Sequence, residues 1–331
     1  MSRQLLEYHP VFGYRFIPHL KARVPHETGG YLVRSNGAGF RCNREFLPAK
    51  PAGLRRVLLF GDSFSAGDGV SNDKRYGDLL ESLVPALEVY NYALPGTGTD
   101  QHYLIWRELA RAVEHDVLLV AVLVENVRRV VARYRVYVDD RGRELCYAKP
   151  YFERANGKLE LRNVPPAREP IAPAELDADQ AGFVDRGGRF AALRKLVAAA
   201  GLRDVAQSIT GYQPLPDYDR PDNPAWLLLR EILEQWIREQ SKAVILMTIP
   251  LYQYVEGTAD PAAYQARFRE VARATGVTLH DPLPELLQRP AAERRGFRFA
   301  RDVHPTPEGH AALAASLAPV LERVLAGAAR P

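Results

Sequence analysis

Residues 57–70 read Val-Leu-Leu-Phe-Gly-Asp-Ser-Phe-Ser-Ala-Gly-Asp-Gly-Val, and Ser63 among them is placed to do chemistry. Val57–Phe60 is a short all-apolar run, which suits a strand buried on both faces. Gly61-Asp62-Ser63 breaks the run, and a helical pattern follows near Arg75–Val84. A serine on a tight turn between a buried strand and a helix sits at the carboxyl end of the strand, where open α/β sheets bind ligands. N–H groups at nearby helix termini favour negative charge there. A serine hydroxyl is a poor nucleophile at neutral pH. It needs a base within hydrogen-bond reach, and the base needs an acceptor that orients it. Asp302 and His304 are two positions apart on a segment that follows Phe297–Ala300 and precedes a helix beginning near Thr306. That spacing suits a loop aiming both side chains at one pocket.

Gly61-Asp62-Ser63-Phe64 resembles the first block of the GDSL/SGNH hydrolase superfamily. Three more matches follow in the family's order: Asn91-Tyr92-Ala93-Leu94-Pro95-Gly96, Val124-Glu125-Asn126 and Asp302-Val303-His304-Pro305. The resemblance implies a serine esterase or lipase-like enzyme. Ser63 would be the nucleophile, His304 the base and Asp302 its orienter. The oxyanion hole would be built from the N–H of Ser63, the N–H of Gly96 and the side chain of Asn126. The third block departs from the family, with Glu125-Asn126-Val127 in place of Gly-Asn-Asp. The altered neighbours of Asn126 point to a divergent bacterial subfamily with an unusual pocket.

The chemistry implied is acyl transfer. His304 takes the proton of Ser63, which attacks an acyl carbonyl, and water resolves the acyl-enzyme. The expected substrate is a small or medium acyl ester of a sugar or metabolite. An acyltransferase on the same scaffold, passing the acyl group to a sugar, amine or other acceptor, is one alternative. A non-catalytic ligand-binding protein is another. Asp62 reads as a structural acceptor in the turn. Glu125 reads either as a contact for a cationic or hydroxylated substrate group or as a paired structural acid. The remaining histidines, His9, His19, His26, His102, His115, His280 and His310, show no metal-ligand spacing, and His310 reads as helix surface. With no Walker loop and no Gly-x-Gly-x-x-Gly after a strand, neither metal nor nucleotide cofactor is expected.

The chain has 331 residues, 47% of them hydrophobic and 25% charged, an ordinary globular composition that permits a sizeable core. Its net charge is +4, and of 44 basic residues only seven are lysine. No basic run exceeds a pair and no aromatic residues alternate with basic ones, so a nucleic-acid surface is not expected. Cys42 and Cys146 form no motif, which reads as a reduced, cytoplasmic protein. The first ten residues lack an apolar signal core, and no apolar stretch reaches membrane-span length. No apolar stripe is surplus to the core, which leaves the oligomeric state open.

The elements that must position Ser63, Asp302 and His304 alternate in βα fashion. Strands are expected at Val57–Phe60, Leu87–Tyr92, Val117–Leu123, Ala243–Ile249 and Val277–His280. Helices are expected at Arg75–Val84, Thr99–Val113, Ala225–Glu239, Pro261–Thr275 and Thr306–Leu325. This predicts a flavodoxin-like three-layer α/β/α sandwich around a five-stranded parallel sheet, the fold the resemblance also implies. Residues 1–50 read as a β-rich extension packed on the hydrolase domain of residues 51–331, with Tyr8–Phe16 and Tyr31–Arg34 strand-like and Ser35–Arg41 closing a hairpin. From about 128 to 223 an insertion interrupts the rhythm, with short strands at Arg133–Val138, Leu145–Phe152 and Lys158–Leu161, a linker from Pro165 to Ala174 and a helix at Phe190–Ala200. It follows Asn126 directly, so it is expected to line the pocket and set substrate choice.

Overall fold

Five apolar runs pair into one parallel sheet: β1 (Arg55–Phe60), β2 (Leu87–Asn91), β3 (Val117–Leu123), β4 (Ala243–Ile249) and β5 (Thr278–His280). The computed structural model describes residues 5–139, 141–185 and 213–328. The strand order is β5-β4-β3-β1-β2, the flavodoxin-like doubly wound order. All seven residues of β3 are buried, as a central strand covered on both faces requires.

Side chains of a strand alternate between faces, and the two faces hold separate cores. Leu58, Phe60, Leu118, Val120 and Leu246 pack with Tyr103, Trp226, Trp236 and Phe268. Val57, Leu59, Leu119, Ile245 and Met247 pack with Tyr76, Leu80, Leu317 and Leu321. The covering helices are α2 (Tyr76–Leu83), α3 (Thr99–Ile105), α5 (Pro224–Arg238), α6 (Ala262–Thr275) and α7 (Pro307–Ala328). Two short helices, α1 (Ser63–Ala66) and α4 (Asn126–Arg129), follow β1 and β3 directly. α5 starts where Asn223 Oδ1 accepts the N–H groups of Ala225 at 2.9 Å and Trp226 at 3.3 Å, with Pro224 as its first residue. The expected helix Thr99–Val113 changes form at Trp106–Ala110, which is a π-helical turn. The wider turn keeps Trp106 and Ala110 buried and leaves Arg107 and Glu108 in solvent.

The first strand-like segment is a hairpin, Leu6–His9 against Gly13–Phe16, because Pro10 cannot continue the ladder and Gly13 adopts φ +95°. A second hairpin pairs Tyr31–Arg34 with Lys21–Val24, a strand not read from the sequence. Residues 25–30 close that hairpin. Ser35–Arg41 does not close one; it folds on itself through Phe40 N–H to Asn36 Oδ1 at 3.1 Å. Phe12, Phe16 and Phe40 share the core of Phe60 and Tyr92, so the N-terminal hairpins complete one face of the sheet.

In the insertion, Tyr134–Val138 pairs with Glu144–Ala148 and with Val184–Asp185. A separate hairpin joins Tyr151–Ala155 to Lys158–Arg162 through Asn156-Gly157, both at positive φ. The expected single strand Leu145–Phe152 is therefore two, broken at Lys149-Pro150, where Lys149 Nζ turns inward to donate to Asp100 Oδ2 at 2.5 Å. The expected linker is partly tied down, since Ile171 exchanges both backbone hydrogen bonds with Cys146. The helix expected at Phe190–Ala200 lies outside the described residues.

Candidate active site

β1 ends at Phe60 and the chain turns through Gly61, where a Cβ would meet Ser65 Oγ at 2.3 Å. Asp62 Oδ1 accepts the N–H of Phe64 at 3.0 Å and so caps α1, whose first residue is Ser63. β1 and β3 are the strands between which the chain order reverses, so Ser63 sits at the topological switch point. His304 comes from a narrow loop held by Thr306 N–H to Phe297 O at 3.0 Å and Phe299 N–H to His304 O at 3.2 Å.

The structure brings Ser63, His304 and Asp302 into one line. His304 Nε2 is 2.8 Å from Ser63 Oγ, and His304 Nδ1 is 2.5 Å from Asp302 Oδ1. The same Oδ1 accepts the His304 backbone N–H at 3.1 Å, which fixes the acid relative to the ring. A carboxylate only accepts, so Nδ1 carries the proton and Nε2 is left to accept from the Ser63 hydroxyl. Burial pushes the His304 ring toward its neutral form, but the hydrogen bond it donates to Asp302, with the charges of Asp68, Asp302 and Asp62, outweighs it and raises its pKa. Burial likewise opposes ionisation of Asp302, yet the bonds and charge of His304, with a smaller contribution from His26, hold its carboxyl well below the usual range. The group is arranged to take a proton from Ser63 and to bear the positive charge that results.

A cavity of about 560 Å³ opens over Ser63 and His304. Gly96 lines it at φ +77°, and a Cβ there would meet Arg135 Nε at 2.7 Å. Arg135 belongs to the insertion strand Tyr134–Val138, which walls the cavity, and its guanidinium is paired with Asp185. Arg129, on α4, donates to Asp62 Oδ2 at 2.8 Å and to Glu125 Oε2 at 3.0 Å. Glu125 thus both lines the cavity and is paired. A smaller apolar recess of about 50 Å³, lined by Ile249, Leu286, Phe297 and Leu313, adjoins the cavity at Phe64 and Tyr252.

Asn126 begins α4 and is fully buried, its Nδ2 donating to Thr99 Oγ1 at 3.3 Å. It is not among the residues lining the cavity. His310 is not helix surface. It is fully buried between α7 and α2, where Nδ1 accepts the Tyr76 N–H at 3.3 Å, and burial pushes its pKa down to about 3. Among the described residues no group of three or more His, Cys, Asp or Glu is placed to hold a metal ion.

Sequence reasoning missed Arg41, Arg129 and Arg135. Arg129 carried a readable signal, since it stands four residues after Glu125, the spacing of a helical ion pair. Arg41 carried none. It is fully buried and donates to Gly67 O at 2.7 Å and Val70 O at 2.8 Å, tying the N-terminal segment to the loop after Ser63.

No family model matches the sequence, and no curated protein matches it. Solved structures of esterases and acylhydrolases are similar to it at low identity. A lipase/acylhydrolase from Enterococcus faecalis is 14% identical with a TM-score of 0.45, covering 82% of this chain and 96% of its own. A member of the lipolytic G-D-S-L family from Veillonella parvula is 12% identical with a TM-score of 0.43, covering 82% and 100%. A catalytic mutant of Axe2, an acetylxylan esterase from Geobacillus stearothermophilus, is 14% identical with a TM-score of 0.40, covering 84% and 96%. At these values the reading of the site rests on its own geometry.

Proposed function

We propose that the protein is a serine ester hydrolase of the SGNH type that cleaves a carboxylic ester through an acyl-Ser63 intermediate. The observation that carries this is the continuous relay from Asp302 through His304 to Ser63, at 2.5 and 2.8 Å. His304 Nε2 accepts the Ser63 proton as Oγ attacks the acyl carbonyl, and Asp302 stabilises the imidazolium. His304 then protonates the departing alkoxide. A water enters, gives its proton to Nε2 and attacks the acyl carbon, which releases the acid and restores Ser63.

The tetrahedral oxyanion is assigned to the N–H of Ser63, the N–H of Gly96 and Asn126 Nδ2. Asn126 Nδ2 gives one of its two protons to Thr99, and its part in the oxyanion hole follows the sequence resemblance, since Asn126 does not line the cavity. Loss of one such donor is expected to cost about 2.7–4 kcal/mol of barrier. The apolar recess beside Phe64 supports a short or medium acyl group, and the polar cavity under Arg129, Arg135 and Glu125 supports a hydroxylated alcohol such as a sugar or metabolite. A cavity of about 560 Å³ has room for more than the scissile ester. That favours, as a second reading, transfer of the acyl group to a bound sugar or amine instead of water. Cys42 and Cys146 are both buried and form no spacing motif, and the reading of a reduced, cytoplasmic protein is kept as part of this proposal.

The test is hydrolysis of p-nitrophenyl esters of increasing chain length, with Ser63→Ala as control and with candidate acceptors added in a second arm. Activity lost in Ser63→Ala supports the esterase reading. Acyl transfer that outcompetes hydrolysis supports the second. No turnover and no transfer in either arm contradicts both.

A further inference from the structure

The hairpin Lys21–Val24/Tyr31–Arg34 reaches the catalytic loop with its turn. His26 stands there, on an otherwise exposed segment, yet its side chain is only 10% exposed. Its Nε2 lies 3.5 Å from Asp302 Oδ2, the oxygen that His304 does not use. That Nε2 is buried and has no hydrogen-bond partner among the described residues. The ring is held edge-on to Phe299 at 4.4 Å and to Tyr31 at 5.9 Å, and Nδ1 is 3.2 Å from Thr28 Oγ1. If Thr28 donates to Nδ1, the tautomer that results carries its proton on Nε2, facing Asp302. The next residue grips the same loop, since Glu27 accepts the Arg301 N–H at 3.2 and 3.0 Å through its two oxygens.

A carboxylate held by one oxygen alone rotates about its Cβ–Cγ bond, and each rotation takes Oδ1 off the His304 ring. A donor on the second oxygen stops that rotation, as outer partners do for many site ligands. We propose that His26 is a positioning residue for Asp302: its Nε2–H engages Oδ2 so that Oδ1 stays on His304 Nδ1, and the N-terminal hairpin is thereby part of the working catalytic loop. This rests on the reading of Ser63, His304 and Asp302 as a serine-hydrolase triad. At 3.5 Å the contact is long in the free protein.

The experiment is the kinetics of Ser63 labelling by a fluorophosphonate, which reports nucleophile activation whatever the natural substrate is. The full chain is compared with His26→Ala, His26→Gln and Glu27→Ala, and thermal midpoints are recorded for each. Gln places an amide N–H near the position of Nε2. His26→Ala is expected to lower the maximal labelling rate about tenfold while the half-saturating phosphonate concentration changes less than about twofold. His26→Gln is expected to recover most of the loss, and Glu27→Ala to give a smaller loss. An unchanged rate in a folded His26→Ala, or a His26→Gln as slow as His26→Ala, overturns the proposal and leaves His26 a packing residue. If the unmodified chain is not labelled at Ser63 and hydrolyses no ester, the triad reading has failed and the proposal falls with it.

Discussion

Arg129 and Asp62 form a buried ion pair directly behind Ser63, with Nη1 2.8 Å from Oδ2 and side chains 9% and 1% exposed. Asp62 uses its other oxygen to cap the helix that begins at Ser63. One carboxylate therefore ties the turn at Ser63 to the helix after β3, and Glu125 shares the same guanidinium from the cavity side. Burial raises the Asp62 pKa, and the Arg129 charge works against that rise. Removing one partner of such a pair leaves the other charged and dry, so Arg129→Ala should destabilise the fold by about 3–5 kcal/mol. Denaturant unfolding of the variant measures this, and an unchanged midpoint would show that the pair is dispensable.

The relay sets the pH dependence. In the proposed mechanism His304 acts as a base only when neutral, so kcat/KM should fall on the acid side with a midpoint above the ring's ordinary value of 6.5. Asp302→Asn removes the leading influence that raises it, and the midpoint should move down as activity falls. Stability follows the same linkage. The His304 contribution is present below 6.5 and lost as pH rises through the higher folded value. The Asp302 contribution is present above 3.8 and lost as pH falls toward its depressed folded value. A pH–rate profile whose acid limb is unmoved by Asp302→Asn would break this account.

Gly96 is constrained twice over, by φ +77° and by Arg135 lying against it. Gly96→Ala should cost about 1–3 kcal/mol of stability through backbone strain alone. It should also displace the Arg135 guanidinium and lower kcat/KM. Adding Arg135→Ala relieves the contact and leaves the strain, so the double variant should regain only part of the stability. Full recovery would mean that the backbone angle is unimportant.

The N-terminal hairpins cover the sheet face around Phe60 and Tyr92, and Arg41 binds them to the loop after Ser63. A chain beginning at residue 51 should therefore be insoluble or unfolded. Arg41→Met, which strips the donors from the carbonyls of Gly67 and Val70, should destabilise by about 2–4 kcal/mol. Circular dichroism and thermal melts of both variants decide the matter, and a folded, active truncation would contradict it.

The central sheet was legible because runs such as Val117–Leu123 are apolar throughout, and a strand buried on both faces is where such a run fits best. The turn residues around Ser63 and the Asp302–His304 pair were legible because their spacing is local. What escaped was long-range. His26 meets Asp302, and Arg41 meets Gly67, across contacts that no local pattern encodes. His310 was misread because a histidine early in an amphipathic helix gives no sign that α2 will present it an N–H. The hairpin at Pro10 was missed because the aromatic alternation on either side runs through it unbroken.

The central claim is that Ser63 carries the acyl group. Rapid quench of the enzyme with p-nitrophenyl acetate, followed by peptide mass spectrometry, tests it directly. The account predicts one acetyl group on the peptide containing Ser63, formed in a burst of p-nitrophenolate and absent from Ser63→Ala and His304→Ala. Hydrolysis that persists in Ser63→Ala, or an acetyl group on another residue, would contradict it.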